Sequence, residues 1–77
     1  MPTQHPVTDE ALAALVRAAV IRSGVPAVRR SLNIEPEVIL RVAGSIPGTR
    51  RGTWLFLREK LDVLRELAGE STEGGAQ

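Results

Sequence analysis

Val28-Arg29-Arg30-Ser31-Leu32-Asn33-Ile34-Glu35-Pro36-Glu37-Val38-Ile39-Leu40-Arg41-Val42-Ala43-Gly44 is the stretch on which the reading of this chain turns. Val28 and Leu32 are the apolar end of one helix. Asn33 tolerates the left-handed backbone that a sharp turn needs. Pro36 has no N–H to satisfy and a φ already set for a helix, so Glu35-Pro36 starts a new helix instead of breaking one. Ile39 and Val42, three residues apart, give that helix an inward side. Two short helices joined by so tight a turn form a helix-turn-helix pattern.

Outward from this stretch the chain reads as helix throughout. Thr8 suits a helix N-cap, with Asp9 and Glu10 favourably placed in the first turn. Leu12, Leu15, Val16, Ala19 and Val20 then recur at the spacing of one amphipathic stripe. Gly24 ends that helix and Pro26 opens the next, running to about Leu32. The third helix is expected over Pro36 to Ala43. Gly44-Ser45-Ile46-Pro47-Gly48 reads as a turn-rich connection. A last helix starts between Thr49 and Thr53, either of which can cap it, and continues to Ala68, where Gly69 closes it. Trp54, Leu57, Leu61, Leu64 and Ala68 form its core stripe, while Phe56, Val63 and Leu67 lie nearly opposite. The expected class is all-α: a small four-helix domain over residues 8–69, with a flexible arm at 1–7 and a disordered tail at 70–77.

Seventy-seven residues support one domain and a small core, with stability of roughly 4–11 kcal/mol. The absence of cysteine excludes a disulfide framework and a thiolate metal site. His5 lies in the arm, the carboxylates are scattered among arginines, and no Gly-rich phosphate loop occurs, so neither enzyme activity nor a metal or other cofactor is expected. No apolar run approaches a membrane span and no signal-peptide pattern opens the chain, which points to the cytoplasm. Nine of the ten basic residues are arginine, a bias typical of GC-rich bacterial genomes.

The net charge is only +1, but it is segregated. Residues 1–16 carry −2 and residues 61–77 carry −3, whereas residues 17–60 hold nine basic groups against three glutamates, for +6. A basic centre between acidic ends suits a phosphate-binding face. On a helical wheel the third helix turns Ile39, Val42 and Ala43 inward and presents Glu37, Leu40 and Arg41. Arg41 can read guanine O6 and N7 bidentately, and Glu37 can accept from cytosine N4. Two plainer roles compete. Glu37 and Arg41 form a favourable i,i+4 pair on any exposed helix, and Glu35 and Glu37 suit a helix N-terminus through its dipole. Arg29, Arg30, Arg50 and Arg51 are the phosphate candidates, the last two at the start of the final helix.

The run Ile34 to Gly44 resembles the turn and recognition helix of lambda-repressor-like and lactose-repressor-type bacterial regulators through Ile34, Pro36, Ile39, Arg41 and Val42. Arg50-Arg51-Gly52-Thr53 with Leu57 and Leu61 is similar to the helix that follows this motif in lambda-repressor-like domains. Two positions depart from the pattern: Asn33 stands at the usual glycine, and Arg29 at a usually small residue where the two helices touch, so Arg29 has to send its guanidinium outward. The resemblance implies a cytoplasmic transcription regulator, a repressor in most such cases, that lays the third helix in the major groove of double-stranded DNA. A homodimer is expected to align two such helices, with Phe56, Val63 and Leu67 as its interface. The alternative is a helical protein-interaction module that presents Glu37, Val38 and Leu40 to a partner. Only two aromatic residues, Trp54 and Phe56, argue against single-strand binding.

Overall fold

The computed structural model describes residues 8–70, and among them every regular element is a helix: α1 (Asp9–Ser23), α2 (Val25–Leu32), α3 (Pro36–Ala43), α4 (Arg51–Glu59) and α5 (Leu61–Ala68). The arm at 1–7, with His5, and the tail at 71–77 lie outside the described residues. Glu70 lies inside them. Its N–H donates to the Arg65 carbonyl at 2.8 Å, just past the end of α5.

The first three helices start and stop where residue chemistry demands. Thr8 is the N-cap of α1, its Oγ1 accepting from the Ala11 N–H at 3.0 Å. Gly24 ends α1 at φ 91, ψ 152, a backbone state reserved for glycine. There the helix axis swings by 120° into α2. Asn33 closes α2 in the left-handed region at φ 57, ψ 46, its N–H donating to the Arg29 carbonyl at 2.7 Å. Three residues later Pro36 opens α3.

The fourth helix departs from expectation in two ways. Neither threonine caps it: Arg50 is the N-cap residue, no side chain bonds the free N–H groups, and Thr53 sits inside the first turn. The Thr49 hydroxyl is buried without a partner. The expected single helix is also two, parted at Lys60, which gives the domain five helices rather than four. The Lys60 N–H is shared between the carbonyls of Phe56 and Leu57, at 3.1 and 3.0 Å, a tightened turn that re-aims the chain.

Helix α1 is the axle. It contacts all four other helices, α5 most extensively and α3 next. Its Leu12, Leu15, Val16 and Ala19 meet Val28 and Leu32 of α2, Ile39, Val42 and Ala43 of α3, Leu57 of α4 and Leu64 of α5 in one buried cluster with no buried charged residue. Polar contacts hold the outer elements to the axle. Asp9 and Arg58 pair at 2.8 Å at the start of α1. At its other end the Ser23 hydroxyl donates to the Leu67 carbonyl at 2.8 Å. The C-terminal ends of α1 and α5 therefore lie together, two partially negative helix ends. The Ser23 O–H and the Arg22 side chain, which crosses Gly69 closely enough that a Cβ there would lie 2.7 Å from Arg22 Cδ, supply positive charge between them. Among the described residues no single helix is long and apolar enough to cross a membrane.

Candidate nucleic-acid interface

Helix α3 is positioned from both ends. At its start the left-handed Asn33 and the extended Glu35 set its direction against α2. At its end Arg17 of α1 donates through Nε to the Ala43 carbonyl at 2.9 Å, satisfying one of the carbonyls a helix terminus leaves open. Ser45, at φ 57, then turns the chain back, its N–H on the Val42 carbonyl and that of Ile46 on the Arg41 carbonyl. The inward side is the expected one: Ile39, Val42 and Ala43 are buried. Val38 and Ile34 are half-buried at the edge of the same cluster.

Three side chains are left facing outward. Leu40 is 53% exposed, comparable to Leu55 of α4 at 51% and less than Ile21 of α1 at 78%. The side chain of Glu37 is 80% exposed and that of Arg41 33%. Arg41 Nη2 donates to Glu37 Oε2 at 3.2 Å, so the i,i+4 pair is made. The Arg41 stem lies along the following connection, where a Cβ at Gly48 would sit 3.9 Å from Arg41 Cδ. This pair stabilises an exposed helix by only about 0.2–0.5 kcal/mol. A good bidentate contact to a base is worth about 1–3 kcal/mol. The pair therefore does not prevent Arg41 from engaging an acceptor, but it does pre-position the guanidinium.

The nine basic groups of residues 17–60 divide into two sets. Arg17 caps α3, Arg22 lies across the end of α5, Arg41 pairs with Glu37, Arg58 pairs with Asp9, and Lys60 Nζ stands 5.6 Å over the Phe56 ring. Arg29, Arg30, Arg50 and Arg51 remain, all exposed and with no side-chain hydrogen bond or ion pair among the described residues. These four are the residues that the sequence nominates for phosphate. Arg29 and Arg30, in the last turn of α2, border a shallow groove with Val25, Pro26 and the Glu35-Pro36 start of α3. Arg50 and Arg51 stand at the uncapped N-terminus of α4, where free N–H groups and the dipole favour an anion. The outward course of Arg29 resolves its awkward place in the helix contact.

Phe56, Val63 and Leu67 are only partly covered. The turn at Lys60 brings all three against the core, half-buried. The residues that sequence reading overlooked are the supports: Arg17, Ser23, Arg22 and the Asp9–Arg58 pair. Arg17, Ser23 and Arg58 meet carbonyls or a carboxylate 26 to 49 residues away, Arg22 lies over Gly69, and no local pattern signals these contacts.

Compared with known proteins, the chain matches no family model, no curated protein and no solved structure.

Proposed function

We propose that this chain is a sequence-specific DNA-binding regulator, a repressor, that lays α3 in the major groove and reads bases through Glu37, Leu40 and Arg41. In this reading α2, the Asn33 turn and α3 are a helix-turn-helix within a lambda-repressor-like domain. The observation that carries it is the sorting of the arginines. Arg17, Arg41 and Arg58 each bond a partner, whereas Arg29, Arg30, Arg50 and Arg51, which flank α3 in sequence, have no hydrogen bond or ion pair among the described residues. Arg22 and Arg65 have none either, but belong to the α5 side. Four exposed guanidinium groups on either side of one helix make a locally basic surface that suits phosphate. Two copies would supply two half-sites, with the exposed edges of Phe56, Val63 and Leu67 as their contact.

Leu40 supports a second reading, a protein-interaction module using Glu37, Val38 and Leu40. A leucine half out of a helix beside a neutralised ion pair also suits an apolar partner. A salt titration of binding to random duplex DNA separates the two. The regulator loses affinity linearly in log–log form as salt rises, and Arg50→Ala with Arg51→Ala lowers that slope by about two while weakening all sequences alike. An interaction module shows no such slope. A loss confined to one selected sequence would mean that Arg50 and Arg51 read bases instead.

A further inference from the structure

We infer that Glu37 and Arg41 act as one reading unit for a single G·C base pair, with Leu40 set against the 5-methyl group of a neighbouring thymine. The inference rests on the DNA-binding reading and specifies what that surface recognises. On the major-groove edge of a G·C pair three groups follow one another: the N7 and O6 acceptors of guanine, then the N4 donor of cytosine. O6 and N4 are themselves hydrogen-bonded, so they stand about 2.9 Å apart. The Glu37–Arg41 pair presents the complementary order, with guanidinium donors beside a carboxylate acceptor at 3.2 Å. One Arg41 nitrogen is engaged by Glu37, and the fork retains further N–H donors for N7 and O6 while the second carboxylate oxygen accepts from N4.

An A·T pair offers acceptor, donor, acceptor in that order, and its N6 donor confronts the guanidinium. The unit therefore discriminates. Within the pair the negative charge of Glu37 is compensated by Arg41, which lessens its repulsion by nearby phosphate.

Leu40 follows Glu37 by three residues, about 4.5 Å along the helix axis and about 60° around it. Successive bases on a strand are about 3.4 Å apart. A side chain so placed reaches the next base pair. With no polar atom and 53% exposure, its complement there is the thymine methyl group.

The experiment is a selection from a random duplex pool with wild type, Glu37→Ala, Arg41→Ala, the double variant and Leu40→Ala. Wild type should fix one G·C position. Each single charge variant should lose about tenfold or more of the preference at that same position, and the double variant should lose little beyond either. Glu37→Ala should also bind random duplex DNA more tightly, because Arg41 is released. Leu40→Ala should relax an adjacent thymine, and uracil at that position should cost wild type as much. Charge variants that relax two different positions, or an unchanged G·C preference in Glu37→Ala, overturn the inference and leave the DNA-binding reading standing. No enrichment of any sequence by wild type removes both. All of these side chains are on the surface, and unchanged helical circular dichroism shows that each variant is folded.

Discussion

Gly24 and Lys60 both separate consecutive helices, yet by different means. Gly24 stands at φ 91, ψ 152, where a side chain clashes with its own backbone, and the axis turns by 120° there. Lys60 stands at φ −102, ψ 25, a conformation open to any residue. The first turn is imposed by the residue that makes it. The second is imposed by what lies on either side. In a straight helix Leu57 and Leu64 would share one face, with Phe56, Val63 and Leu67 opposite and in water. Turning at Lys60 buries Leu57 and Leu64 and brings the other three half into the core. Apolar area removed from water, worth about 25 cal/mol per Å², favours the turn.

This contrast has measurable consequences. The largest should come from Leu64, the one fully buried residue of α5 and its anchor on α1. Leu64→Ala should cost about 2–5 kcal/mol in chemical denaturation, a large part of the whole stability. A loss below about 1 kcal/mol would mean that packing does not hold α5, and the explanation of the Lys60 turn would fall with it. Next in size, Gly24→Ala should destabilise by about 1–3 kcal/mol through backbone strain alone, because Pro26 Cδ leaves 3.7 Å for the added Cβ. Thermal melting that is unchanged in this variant would show that the α1–α2 turn can be made another way. The smallest effect belongs to Lys60. Lys60→Ala removes a contact to the Phe56 ring but no backbone requirement. Stability within about 0.5 kcal/mol of wild type is expected, with five helices still resolved by NMR secondary shifts.

The same contrast explains what could be read before the structure. Residues 8–43 carry their own punctuation in Thr8, Gly24, Asn33 and Pro36, and each acts through its own backbone or side chain, so the bounds of α3 and its inward residues follow from the chain alone. Lys60 is an ordinary helix former and Thr49 and Thr53 ordinary caps. What decides that region is packing against α1, so the break and the Arg50 N-cap stayed hidden. At the candidate site, the outward set of Glu37, Leu40 and Arg41 was legible from helical periodicity. The supports were not, because Arg17 meets the Ala43 carbonyl and Ser23 the Leu67 carbonyl only once three helices are assembled.

The central claim is that α3 and the start of α4 face DNA. The most direct measurement is an amide NMR titration of the full chain with a random-sequence duplex at low salt. The account predicts the largest shift changes at residues 36–44 and 49–53, with smaller ones around Arg29 and Arg30, all reversed by raising the salt. Saturating duplex that leaves these amides unmoved, or that moves only the α1–α5 side of the molecule, would contradict it.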